Sequence, residues 1–201
     1  MKLYYAPAAS SMAVHIALVE AGVPFDLVAV DLRTKTLAGG DDFLAISEKG
    51  AVPALQLDDG AVLTEAGALL QYVADLNPGS GLAPPHGTLA RYQLAEWINY
   101  IGTEIHANFG PLWKSDLAAD AREATHRQLL RRFDYAAKRL ASTPFLMGDT
   151  FTVADAYLYM MLVWTKFVKL DLSGRPALQD YMKRIAARAS VQQVRAAEAA
   201  K

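Results

Sequence analysis

"AVPALQLDDGAVLTEAGALLQYVADLNPG", residues 51–79, packs four structural signals into one run. The apolar segment after Pro53 reads as a strand, and "AVLT" (61–64) reads as a second. The Asp59-Gly60 pair between them is a strong hairpin signal, because glycine accepts the positive φ such a turn needs. From Thr64 to Leu76 the apolar residues recur at helical spacing. Pro53 cannot donate to a strand ladder, so this strand end is an edge or a special turn. A cis Val52–Pro53 bond would leave the Val52 backbone to pair with an extended peptide. Thr64 is the candidate N-cap, which places Glu65 and Ala66 in the first helical turn. Free amides and the helix dipole there attract a carboxylate, and Glu65 attracts an ammonium. An α-amino acid end group matches that pair. An ordinary edge proline and a simple capped helix are the alternatives these residues leave open.

Working outward, "KLYYA" (2–6) is a short strand and "SSMAVHIALVEAG" (10–22) a helix, with Ser10 or Ser11 as its cap and Gly22 as its stop. "FDLVAVDL" (25–32) alternates as a strand. Residues 33–51 are polar and glycine-rich and read as a loop with one irregular helix. The order β-α-β-α-β-β-α predicts a small mixed sheet with helices on both faces. Residues 77–87, "NPGSGLAPPHG", have linker composition. The expected division is a first domain at 1–77, a linker at 78–87 and an all-α domain at 88–201. In the latter, 88–113, 121–142 and 152–170 each read as one helix, and 176–199 as one or two. "TVAD" (152–155) is a capping box, with Phe151 as a staple candidate; its role is structural.

Composition narrows the function. The 201 residues carry 20 Lys+Arg against 21 Asp+Glu, with no basic tract interleaved with aromatics, so nucleic acid is not an expected partner. There are no cysteines, which removes disulfides, thiolate metal sites and cysteine nucleophiles. The four histidines, His15, His86, His106 and His126, are too scattered to suggest a metal site. No apolar run reaches the roughly 18 residues of a membrane span, and no signal-peptide pattern opens the chain. A cytoplasmic protein that does not engage membranes is expected.

Several of these stretches together resemble the cytosolic glutathione transferases: "YYAPAASS", "AVPAL" ahead of "LTEAG", the proline-rich linker and "TVADAYL". "VDLRTKT" and "AEWINYIGTEIHANFGPLW" are similar to the bacterial beta class in particular. The resemblance spans the whole chain. It implies a thioredoxin-like βαβαββα domain, an all-helical bundle domain, a homodimer, and glutathione as co-substrate, without a metal. It also implies residue roles. Lys35 would reach the glycyl end of glutathione, and the Val52 backbone ahead of cis-Pro53 would pair with the cysteinyl part. Glu65 and Ala66 would anchor the γ-glutamyl end. Asn99, Thr103, Glu104 and His106 would face the ligand from the first bundle helix, with Glu104 alternatively reaching the neighbouring subunit's glutathione.

One departure stands out: the class usually has cysteine where this chain has Ser10, and a lysine often found after the histidine is Ala107. Thiol-disulfide exchange by the protein itself is therefore not expected. Activation of glutathione's thiol needs only a donor, since a hydroxyl at a helix N-terminus stabilises the thiolate. Ser10, Ser11 and Tyr5 are the candidate donors, and His106 is a candidate donor or general acid. Phe109, Leu112, Trp113, Trp164 and Phe167 are candidates for an electrophile pocket, with burial in the bundle core as the alternative for each. The expected activity is conjugation of glutathione to small hydrophobic electrophiles. Another glutathione-dependent reaction (peroxidase, isomerase or ether cleavage) and a non-catalytic binding protein are the alternatives.

Overall fold

The computed structural model describes residues 1–199. The chain begins with β1 (Lys2–Tyr5), α1 (Ser11–Ala21), β2 (Asp26–Asp31) and β3 (Thr36–Leu37), followed by β4 (Ala54–Gln56), β5 (Val62–Thr64) and α2 (Ala66–Leu76). The sheet order is β3-β2-β1-β4-β5. β1 and β2 are parallel, joined through α1, while β4 and β5 form the antiparallel hairpin around Asp59-Gly60. Alternation along β1 sends Tyr4 into a cluster with Val30, Phe43 and Ala54, and turns Leu3 and Tyr5 to the other face.

The irregular helix expected within 33–51 is mostly turn. β3 and a single 3-10 turn, Phe43–Ala45, take its place. The Asp31 carboxylate accepts from the amides of Arg33 and Thr34, and Asp42 accepts from Leu44, so side chains hold this backbone where a helix would have used its own carbonyls.

The helical unit contains α3 (Leu89–Tyr100), a π-helical segment (Ile101–His106) with a short continuation α4 (Ala107–Phe109), then α5 (Ala119–Leu140), α6 (Val153–Phe167) and α7 (Pro176–Ala186). The single helix expected over 88–113 is thus interrupted by a wider turn and ends in a 3-10 turn, Gly110–Trp113. Along α5, Leu129, Phe133, Ala136 and Leu140 form the buried stripe. α6 is buried on nearly all sides.

One compact unit is Met1–Ala83 together with the described residues from Arg188 onward, and the other is Pro84–Ala187. The last helix, α8 (Ala189–Ala199), returns to the first unit because Val191, Val194 and Glu198 form a buried stripe that α1 receives. Glu20 on α1 clamps the entry to α8, accepting both Nε (2.7 Å) and Nη2 (2.9 Å) of Arg188 and the Ser190 hydroxyl. Those donors hold its carboxyl below the usual range despite burial. No described helix is long and apolar enough to cross a membrane.

The capping box at the start of α6 forms as expected and does more than cap. Asp155 Oδ2 accepts the Thr152 amide (2.9 Å) and hydroxyl (3.0 Å). Its Oδ1 accepts the Leu146 amide (2.9 Å) and the Tyr181 hydroxyl (3.0 Å), joining α6 to the preceding loop and to α7. Burial pushes the Asp155 carboxyl up to about 6, against the pull of these donors. A folded value above the unfolded one means that its protonation stabilises the fold fully below about pH 4, and that this contribution is lost as pH rises through about 6. Asp155→Ala should therefore cost about 3 kcal/mol, and more near pH 4 than near pH 7.5, measured by urea unfolding at both values.

Candidate functional site

In the first unit the site gathers around the loop between β1 and α1. Ser10 occupies the N-cap position of α1, yet its side chain makes no capping bond; its Oγ donates instead to the Val52 carbonyl at 3.2 Å. Ser11 is fully buried, and its hydroxyl meets both the amide and the carbonyl of Ala6 at 3.3 Å. Neither serine caps the helix by its side chain, which corrects the capping expectation. The two also separate in role: Ser11 stitches the loop, while Ser10 reaches out to the backbone beside Pro53. The first turn of α1 holds no acidic residue, so nothing there opposes an anion. Tyr5 is fully buried, and its hydroxyl has no hydrogen-bond partner among the described residues. Burial first, and the Glu198 carboxylate second, raise its pKa, which keeps the hydroxyl protonated.

The Val52–Pro53 bond is cis. Across the hairpin from it, Glu65 adopts φ +70° and ψ 115°, a left-handed conformation unusual for a residue with a Cβ. Glu65 itself, and not Thr64, is the N-cap of α2, without a side-chain capping bond. Thr64 ends β5, and its hydroxyl accepts from Lys49. The strained turn at Glu65 presents the first amides of α2, beginning with Ala66, which have no carbonyl of their own helix to bond. Glu65 Oε1 lies 2.6 Å from Lys49 Nζ, both side chains being more than half exposed. Lys49 is a residue the sequence reading missed; only its nearness to Glu65 across the hairpin reveals it. Lys35 folds over Gly50 and donates to its carbonyl at 2.7 Å.

A second missed group comes from the far end of the chain. Glu198 is 4% exposed; its Oε2 accepts the Ala8 amide at 3.3 Å, and its Oε1 lies 3.0 Å from His15 Nδ1. Ala8 sits at φ +56°, so the carboxylate holds a strained turn two residues before Ser10. The His15 ring in turn packs against Phe25 and Tyr5. A glutamate in an alanine-rich terminal helix carries no local signal of such a task.

In the second unit the π-helical segment changes which residues align. Three- and four-residue spacing places Asn99, Thr103 and His106 on one face of an α-helix, but Thr103 and His106 fall in the wider turn, as does Glu104. Asn99 and Thr103 stay exposed, linked by a bond from the Thr103 hydroxyl to the Asn99 carbonyl at 3.0 Å. Glu104 turns to Arg132 on α5, with Oε2 3.0 Å from Nε. His106 Nδ1 lies 2.7 Å from the Tyr157 hydroxyl on α6.

The aromatic candidates divide. Trp164 packs edge-on against His106 (4.9 Å), Trp113 (5.2 Å) and Phe109 (5.3 Å). Phe109, Leu112 and Trp164 are buried, whereas Trp113 is 49% exposed. Phe167 is 58% exposed, beyond this cluster. His106 and Trp113 therefore border a shared aromatic wall with Trp164 at its centre. Among the described residues no group of three His, Cys, Asp or Glu is placed to hold a metal ion.

Comparisons with known proteins agree across the chain. Residues 9–76 match the family model for the glutathione S-transferase N-terminal domain, and 119–184 the model for the C-terminal domain. Glutathione S-transferase GstA of Escherichia coli O157:H7 is 44% identical over 201 residues, covering all of both chains. Glutathione S-transferase GST-4.5 of Xanthomonas campestris is 37% identical, with 98% of each chain covered. Among solved structures, a ternary complex of BphK, a bacterial GST, superposes with a TM-score of 0.96 at 45% identity over 99% of this chain and 100% of that one. A sphingomonad glutathione S-transferase complexed with glutathione gives 0.96 at 42% identity over both full chains.

Replacing Glu198 tests the loop it holds. Glu198→Ala removes the acceptor from the half-buried Ala8 amide and from the buried His15 ring and should cost about 2 kcal/mol, read from the urea midpoint at an unchanged m-value.

Proposed function

Because the chain belongs to the glutathione S-transferase family and uses glutathione as co-substrate, we propose that it joins the glutathione sulfur to small hydrophobic electrophiles with Ser10 as the hydroxyl donor to the thiolate. The observation that carries this assignment is the bond from Ser10 Oγ to the Val52 carbonyl. The residue before cis-Pro53 is the one whose backbone pairs with the cysteinyl part of the tripeptide in this reading, so Ser10 stands beside the arriving sulfur.

The remaining contacts follow from the same placement. The γ-glutamyl carboxylate meets the Ala66 amide at the N-terminus of α2, and its ammonium meets Glu65, replacing the Lys49 ammonium there. Lys35 serves the glycyl carboxylate as a flexible point charge. Family correspondence adds Asn99, Thr103 and His106. Glu104, paired with Arg132 within the chain, serves the neighbouring subunit's glutathione.

A free thiol has a pKa of about 8.5 and is mostly protonated at neutral pH. The Ser10 hydroxyl and the N-terminal end of α1 favour the anion, so the proton leaves to solvent before attack. The sulfur lone pair then forms the C–S bond while the electrophile's leaving group departs with its electron pair. The aromatic wall of Phe109, Trp113 and Trp164 suits a flat apolar acceptor. The same reading makes the protein a cytoplasmic homodimer that detoxifies such compounds. Supporting a second copy, Leu89, Tyr92 and Tyr135 are exposed on α3 and α5.

Chlorodinitrobenzene conjugation tests the assignment. Loss of one hydrogen bond to an anion predicts that Ser10→Ala lowers kcat/KM by about 10- to 100-fold and raises the pKa of bound glutathione's thiol. Unchanged turnover and an unchanged thiol pKa would exclude Ser10. Glu65→Ala should raise KM for glutathione by about tenfold or more, through the lost partner of the ammonium.

A further inference from the structure

In the helical unit the hydroxyl of Tyr157 lies 2.7 Å from His106 Nδ1. Tyr157 lies on α6, is 3% exposed, and meets the imidazole edge-on with ring centres 5.7 Å apart. Trp164, about two turns further along the same face of α6, packs edge-on against the same imidazole. The ring is therefore oriented by two aromatic side chains of a single buried helix. Gly102, within the π-helical segment, lies beside this pair: a Cβ there would meet the Tyr157 hydroxyl at 3.6 Å, an ordinary contact distance.

We propose that Tyr157 is a positioning residue for His106, donating its proton to Nδ1 and so fixing the neutral imidazole as the Nε2–H tautomer. The direction of the bond follows from the two groups. A phenol, with a pKa of about 10, is a far stronger acid than a neutral imidazole N–H, and an imidazole nitrogen is a far better acceptor than a phenol oxygen. With Nδ1 accepting, the ring proton resides on Nε2, and His106 enters the transfer as a hydrogen-bond donor there. A donor in that state steadies negative charge developing on the acceptor or its leaving group; a neutral Nε2 lone pair would repel it. The functional consequence rests on the reading in which His106 serves the transfer, while the tautomer does not.

Long-range proton–nitrogen correlation spectra of the nitrogen-labelled full chain decide the matter, recorded at about pH 8.5, where an ordinary imidazole is neutral. The His106 signals are identified by their loss in His106→Asn. The wild type should show the Nε2–H pattern, and Tyr157→Phe should show a mixture of tautomers with kcat/KM lowered by about five- to tenfold, the scale of one hydrogen bond. An Nδ1–H pattern in the wild type, or an unaltered Nε2–H pattern in Tyr157→Phe, would overturn the proposal. If His106→Gln retains full kcat/KM, the role of His106 in the transfer fails, and the spectra judge the tautomer separately.

Discussion

A carboxylate taken out of water has to be surrounded by donors, and the N-terminal half of this protein is organised around that requirement. Glu198, near the end of the described chain, is buried against His15 and the Ala8 amide. Satisfying it draws α8 back onto α1 and holds the left-handed turn at Ala8. That turn sets the direction from which Ser10 leaves the strand, and with it the reach of the Ser10 hydroxyl to the Val52 carbonyl. Ser11 reinforces the same loop through both backbone groups of Ala6. Loop, helix start and hairpin edge are consequently one hydrogen-bonded unit whose members are up to 190 residues apart.

The helical unit repeats the principle with another acid. Asp155 collects donors from its own cap, from the Leu146 loop and from Tyr181 on α7, so α6 is fixed at its N-terminus in both rotation and depth. The rotation of α6 decides where Tyr157 and Trp164 point. Both close on His106 from one side, and the π-helical turn brings the imidazole to meet them. Among the described residues, three of the four non-glycine positions with positive φ, Ala8, Lys35 and Glu65, fall where chemistry is expected, as does the wider turn holding His106; the fourth, Lys169, follows α6.

Much of the fold was legible because its signals are local. Asp59-Gly60 with flanking apolar runs is a hairpin in any context, Gly22 stops α1 in a left-handed conformation, and Thr152-Val153-Ala154-Asp155 starts a helix as it should. The site was legible only in outline. Glu65 and Ala66 stood out because a helix N-terminus beside an acid is itself a chemical pattern. The roles of the two serines were not separable, since both are small hydroxyl residues at a helix mouth and only distant partners tell them apart. The face argument for Asn99, Thr103 and His106 assumed an unbroken α-helix, and nothing in "YIGTEIH" announces a wider turn.

Taken alone, the sequence determined every strand but β3, the helices α1 and α2, the hairpin, the capping box, the absence of any cysteine chemistry and the family resemblance, because each rests on neighbours in the chain or on composition. Tertiary structure alone decided that α8 belongs with the first unit, that Lys49 sits on Glu65, that Arg132 takes Glu104, and that Ser10 rather than Ser11 reaches the Val52 carbonyl. The reason is common to all four. Buried or clustered charges and hydroxyls choose partners by proximity in space, and that proximity is created only when the elements pack.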